Sequence, residues 1–222
     1  LGSALTYSVS TSGTATEGTD YETIPDVTIS GTTGTFSITP TDDAISDINE
    51  TINLSLSASS SDSKLCSTSL TSSTVTIVDN EAAPTITLAA SSSSIAENAG
   101  SSITLTATSS IISGSDITVS FDTSSTATEG TDYGTISDIT ISAGSTTGTT
   151  TFTPTDDSMY ETSTDETAII AIGTVSGGSA TESGSQSVTL TIEENDSAPT
   201  VTLAASSSSI EENAGSSITL TA

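Results

Sequence analysis

Positive charge is almost missing from this chain. Among 222 residues there is no histidine and a single cation, Lys64, against 28 acidic residues, a formal net charge of −27. Without Lys, Arg or His there is nothing to meet the phosphates of nucleic acid or of anionic lipid, so neither is an expected partner. The lack of histidine also removes the usual general base and the triad geometry, and no G-x-S-x-G or phosphate-cradling glycine loop replaces them. An enzyme is therefore not expected. One cysteine, Cys66, excludes an internal disulfide framework and a cysteine zinc site. Tryptophan is absent, aromatics make up 3% of the chain, and no apolar run approaches the roughly 20 residues of a membrane span, so insertion is not expected.

Serine and threonine fill roughly two in five positions. That bias alone suits disorder. The Ile, Val, Leu and Phe residues, however, are spaced by Thr or Ser throughout, and β-branched threonine alternating with aliphatics favours a solvated sheet.

The chain repeats itself. ATEGTDY stands at 15–21 and 127–133, TPTDD at 39–43 and 153–157, and TIVDNEAAP at 76–84 aligns with TIEENDSAP at 191–199. The offsets of 112, 114 and 115 residues are about one β-sandwich long. TLAASSSSIAENAGSSITLTA at 87–107 returns as TLAASSSSIEENAGSSITLTA at 202–222. Residues 82–196 thus read as one complete unit. Residues 1–81 match its last three-quarters and lack the first two strands, and 197–222 match its first quarter, able to complete a neighbouring copy. Within the complete unit, alternation and turn signals predict strands at about 85–89, 101–108, 116–123, 135–142, 148–153, 167–174 and 187–192. The inward set would be Ile103, Leu105, Ile117, Val119, Phe121, Ile139, Ile141, Phe152, Ile170, Ile172, Val188 and Leu190. The expected fold is all-β, tandem seven-stranded antiparallel sandwiches.

If successive strands reverse, the C-terminal ends of the odd strands gather at one pole. That pole would collect Glu97, Asp132, Asp156, Asp157, Glu161, Glu166, Glu194 and Asp196, with no cation in the unit to neutralise them. Carboxylates so placed repel one another unless a hard divalent cation with oxygen coordination joins them, and Ca²⁺ suits flexible carboxylate loops better than Mg²⁺. A merely solvated acidic rim is the alternative.

ENAG at 97–100, ATEGTDY, TDDSMYE at 155–161 and TIEEND at 191–196 together resemble the Calx-β domain, known from sodium–calcium exchangers and from tandem arrays in bacterial surface proteins. The resemblance implies a seven-stranded immunoglobulin-like sandwich with Ca²⁺ at the same pole. It assigns as ligands the eight acids above, with a backbone carbonyl at Met159, and in the first unit Asp20, Asp42, Asp43, Asp47, Glu50, Asp79 and Glu81. The counterpart of Glu97 for that first unit is Glu212, at the other end of the chain. Ser158 and Ala44 stand where the family's acidic triplet has its third acid, and Asn80 and Asn195 replace acids of the terminal triplet.

Pro84 and Pro199 restrict short linkers beside this pole, so the array reads as a rod. The expected role is a building block of an extracellular filament or cell-surface stalk. It would be joined to other copies of itself head-to-tail, as separate subunits exchanging strands or as one period of a longer polypeptide. The alternative is the stalk of a calcium-dependent adhesin whose binding tip lies elsewhere. Glycans are an expected decoration at Ser, Thr or Asn53, while the sequons at Asn49 and Asn195 fall in the acidic loops.

Overall fold

The computed structural model describes residues 5–58, 72–160, 165–212, 215 and 217–222. Its strands are β1 (Leu5–Gly13), β2 (Val27–Ile29), β3 (Ile45–Ser46), β4 (Glu50–Ala58), β5 (Ser73–Ile77), β6 (Thr85–Ala90), β7 (Ser94–Ala96), β8 (Ile103–Ser109) and β9 (Ile112–Ser113). They continue with β10 (Ile117–Ser125), β11 (Ile139–Ile141), β12 (Thr147–Phe152), β13 (Glu166–Ser176), β14 (Thr181–Glu182), β15 (Ser187–Glu193), β16 (Ala204–Ala205) and β17 (Leu220–Thr221). No helix occurs among the described residues, so none is long and apolar enough to cross a membrane.

Residues 82–196 build two sheets face to face, ordered β11-β10-β13-β15-β7 and β12-β8-β6-β14. Alternation makes them. In β8 every second residue from Ile103 to Ser109 is buried while the intervening threonines stay at least partly exposed. The core between the sheets joins Ile86, Leu105, Ile117, Ile139, Phe152, Ile170 and Leu190, with Tyr133 tilted against Phe152 at a centroid distance of 4.8 Å. Phe121 and Val188, expected inside, are only half-buried. For Phe121 the reason is a register shift between Ser120 and Phe121 in the β10–β13 ladder, which rotates the alternation there.

The sandwich is not wholly antiparallel. The expected first strand, 85–89, is β6; beyond it the chain crosses to the other sheet as an unforeseen strand, β7, which runs parallel to β15 with Ile95 opposite Ile192. A short β14 pairs parallel with β6 in the same way. The strand expected at 135–142 shrinks to β11, because the chain before it bonds elsewhere: Gly134 N–H donates to Thr153 O at 3.0 Å, and Tyr133 bridges Pro154. β11 and β12 then approach so closely that Gly148 has no room for a side chain; a Cβ there would lie 2.5 Å from Thr140 O and 2.6 Å from Ile139 Cγ2.

The N-terminal stretch forms a single sheet, β2-β1-β4-β5, over a small core of Tyr21, Ile24, Ile52 and Leu54. It is tied to the next unit by β3, which pairs parallel with β9, Ile45 opposite Ile112 and Ser46 opposite Ser113. Ser46 and Ser113 are buried by this contact, and Gly114 N–H donates to Ser46 O at 3.1 Å. The C-terminal segment holds one small hairpin, β16 with β17.

Gly148→Ala is expected to destabilise the central sandwich by about 1–3 kcal/mol through overpacking. Gly134→Ala, whose nearest new contact would be at 4.0 Å, should change stability by no more than about 0.5 kcal/mol. Urea midpoints of the two variants check the contrast.

Candidate metal centre

Two turns prepare the acidic pole before any loop reaches it. In both copies of ATEGTDY the glycine takes positive φ, +84° at Gly18 and +85° at Gly130, and its N–H donates to the carbonyl of the tyrosine three residues on. Each tyrosine is buried, which pins the turn to the core. Asp20 and Asp132 close these turns by accepting, through Oδ2, the N–H of Thr16 and Thr128 at 2.5 Å.

In the central unit the parallel β7–β15 pairing sets Glu97 beside the acids that follow β15. Glu97, Glu194 and Asp196 offer carboxylate oxygens within 4.8 Å of one another, a spacing that could hold a metal ion. Glu97 is buried, and its Oε1 accepts Asp157 N–H at 3.0 Å, which draws the TDD loop onto the same point. Asp157 in turn holds Met159 N–H at 2.6 Å, and Asp196 N–H donates to Glu194 Oε1 at 2.6 Å. Asp132 and Glu166 line the same narrow crevice with Glu97 and Asp157, and Asp156 is near enough to act on Asp196. Seven of the eight expected acids therefore meet at one pole; the eighth, Glu161, lies outside the described residues. One participant was not foreseen: Asp165, whose Oδ1 accepts Glu194 N–H at 3.3 Å. Its signal was only one more acid in ETSTDE.

Burial pushes the Glu97 carboxyl above its ordinary range; the Asp157 N–H opposes that shift, and Glu194, Asp157 and Asp196 add to it. Asp196 is raised by desolvation and by Glu194, Asp157 and Asp156. Its Oδ2 is enclosed without a hydrogen-bond partner. An enclosed carboxylate oxygen facing other carboxylates, in a unit that contains no Lys, Arg or His, fits a bound cation and little else.

The N-terminal unit repeats the arrangement. Asp47 is raised by desolvation and by Asp43, Asp79 and Asp20, Glu50 by desolvation and by Asp20, and Glu81 by desolvation and by Asp79, with Asp42 and Asp43 beyond it. Asp79 Oδ2 accepts Asp47 N–H at 3.2 Å, and Asn80 Nδ2 donates to Asp42 Oδ1 at 3.3 Å, so this asparagine serves the cluster in place of an acid. Asn49 Oδ1 accepts Asp79 N–H at 3.1 Å. All seven acids expected here line one cavity of about 400 Å³. Glu212 is exposed in the C-terminal segment and is not among the residues lining that cavity.

A family model for the Calx-beta domain matches this chain twice, over residues 2–81 and 79–196. The chain belongs to the Calx-beta family. Among solved structures it is similar to the apo form of the Calx CBD1 domain, at 18% identity over 50% of this chain and 99% of that one, with a TM-score of 0.42. It is also similar to the calcium binding domain CBD12 of CALX1.1, at 17% identity over 78% of this chain and 67% of that one, with a TM-score of 0.31. No curated protein matches.

The raised carboxyls fix the sign of a pH dependence. A carboxyl held above its ordinary range binds its proton more tightly folded than unfolded, so it favours folding as pH falls toward that range and opposes it as pH rises through. In chelator, lowering pH from about 7 to about 5 is expected to raise the melting temperature of this Calx-beta pair. Calorimetry across that window checks it; a melting temperature that falls steadily would contradict the carboxylate repulsion.

Proposed function

We propose that this chain is a calcium-dependent structural link, a segment of an extracellular filament or cell-surface stalk built from Calx-beta domains in tandem. The observation that carries the reading is the carboxylate cluster of Glu97, Glu194 and Asp196, with Asp157 tied to Glu97, in a unit that has no cationic side chain. The calcium binding named for the CBD12 structure points the same way for the ligand. Ca²⁺ is the fitting ion because the donors are all oxygen, irregularly placed and on loops. Glu97, Asp132, Asp156, Asp157, Glu166, Glu194 and Asp196 would hold it in the central unit. Asp20, Asp42, Asp43, Asp47, Glu50, Asp79 and Glu81 would do so in the first. The ion supplies charge neutralisation and crosslinks loops from both sheets.

The mechanical consequence follows from position. The first unit's acids border the joint: Asp47 directly follows β3, whose pairing with β9 joins the two units. Neutralising Asp42, Asp43, Asp47, Asp79 and Glu81 removes the repulsion that would otherwise push this loop off its neighbour, so a cation stiffens the rod at its joint. Other copies of the same chain, arranged head-to-tail, are the partners such a rod calls for. An adhesin stalk uses the same mechanics and differs only in what the array carries at its end.

Calcium is expected to raise the melting temperature of the chain by several degrees or more over chelator, through binding linkage to the folded state. Magnesium should have a smaller effect. Equal melting with calcium and chelator would leave the acids as a solvated rim. Gly114 tests the joint separately, since a Cβ at this position would lie 1.6 Å from Asp47 Oδ1. Gly114→Ala should leave each unit folded yet broaden the distribution of maximum dimensions in small-angle X-ray scattering with calcium present. An unchanged profile would show that the Asp47 carboxylate turns aside without loosening the joint.

A further inference from the structure

The two copies of the ATEGTDY turn share one residue more. Each is preceded by a threonine, giving TATEGTDY at 14–21 and 126–133, and that threonine reaches across to a strand that opens on an acid. In the central unit Thr126 Oγ1 accepts the N–H of Thr167 at 2.9 Å, and Ala127 N–H donates to Thr167 O at 2.9 Å. In the first unit Thr14 Oγ1 accepts the N–H of Thr51 at 2.8 Å, and Ala15 N–H donates to Thr51 O at 3.1 Å. One strand residue is thus held at both its N–H and its carbonyl. The next N–H along the turn, that of Thr128 or Thr16, closes on the carboxylate of Asp132 or Asp20. The residue so held directly follows an acid of the pole, since Glu166 opens β13 and Glu50 opens β4. The grip therefore joins two carboxylates that are remote in sequence: Asp132 and Glu166 line one crevice, and Asp20 and Glu50 line one cavity.

The backbone just before the grip is not relaxed. Ser125 stands at φ +117°, a conformation that side chains disfavour, where the first unit has Gly13 at φ +129°. A Cβ on Gly13 would lie 2.1 Å from Thr51 O. Ser125 carries its Cβ in that conformation regardless, with its Oγ 2.6 Å from Thr167 Oγ1. A strained residue persists only where its surroundings over-determine it. The β10–β13 ladder has its last pair at Ser125–Ala168, so the bend does not serve the ladder. What it does is deliver Thr126 to Thr167.

We propose that Thr126 is a positioning residue of the central cation site, and Thr14 its equivalent in the first unit, each setting the acid that opens a strand against the aspartate of the turn. This deepens the reading of the chain as a calcium-dependent link and rests on it. Thr126 acts through Glu166 and Asp132 rather than by touching the ion. With its hydroxyl in place the two carboxylates are aligned before an ion arrives, so less binding energy goes into ordering the loops. Without it, Thr167 N–H turns to water, and repulsion among the acids lets the start of β13 drift from the turn.

The test is calcium titration of the 222-residue chain by calorimetry, with melting in chelator recorded for each variant. Thr126→Val removes the hydroxyl and keeps the branched shape. It should weaken one class of calcium sites by about threefold to tenfold, the worth of one net hydrogen bond. Thr126→Ser, which keeps the hydroxyl, should bind within about twofold of the unmodified chain. Ser125→Gly should do the same, because Gly13 already holds this backbone in the first unit. The control is Ser120→Ala, toward the other end of the same strand pair, where Ser120 Oγ accepts Thr174 N–H at 3.2 Å. It removes the same kind of bond and should lower melting in chelator without changing calcium affinity. If Thr126→Val lowers melting in chelator yet binds calcium as tightly as the unmodified chain, Thr126 is structural only and the proposal is overturned. Weakening of the same size by Ser125→Gly or by Ser120→Ala would overturn it as well. In those cases calcium uptake by the unmodified chain keeps the calcium-link reading intact; an unmodified chain that takes up no calcium would remove that reading and the proposal with it.

Discussion

Mutual repulsion among carboxylates is the constraint on which the arrangement of this molecule depends. The strands are dominated by Ser and Thr outside and aliphatics within, and carry only a few acids of their own, Asp122 and Glu182 among them. Seven acids of the central unit gather at the strand ends, where β7, β15 and the TDD loop converge, and the unit has no basic side chain to accompany them. Folding therefore brings Glu97, Asp157, Glu194 and Asp196 together against Coulomb's law, in a place where burial makes the cost larger. Backbone N–H groups offset part of that cost: those of Asp157, Met159 and Asp196 each donate to a carboxylate of the cluster. What they cannot supply is net positive charge. The fold alone is left with a deficit that an external cation would meet.

In the first unit the same repulsion lies beside the joint, since Asp47 directly follows β3, and on the proposed reading it couples cation binding to the joint. The parallel β3–β9 bridge is only two residues long on each side. Its position, between Asp43 and Asp47 of the same loop, means that whatever controls the loop's charge controls the bridge. On the proposed reading, this two-residue pairing is a joint whose stiffness would follow the ionic composition around it.

Much of this was legible in the sequence, for definite reasons. The 112–115-residue repeat fixed which segments correspond, and period-two alternation located the interior, with Ile103, Leu105, Ile117 and Ile139 all buried as the pattern required. The acids could be assigned to one pole because a strand's direction, not its neighbours, decides where its end lies. What escaped was what depends on pairing across the sandwich. β7 and β14 are too short to alternate, and their parallel partners are set by the crossing of the chain after β6 from one sheet to the other. The bridge between β3 and β9 depends on two loops of different units meeting, for which Ile45 and Ile112 offer no local signal. Phe121 was misjudged because a bulge shifts its face, and a bulge leaves no mark in a chain this rich in Thr and Ser.

The repeated segment 87–107 and 202–222 shows how far local chemistry carries a structure before packing is available. Both copies hold the same two-pair register and the same serine hydroxyl bonds, although one is enclosed by a core and the other faces solvent. The cross-strand Ser–Thr hydrogen bonds therefore accompany the pairing with or without a core against it. Only its stability depends on burial, since Val201, Leu203, Ile210 and Leu220 are aliphatics that water disfavours by roughly 1.5–3 kcal/mol each.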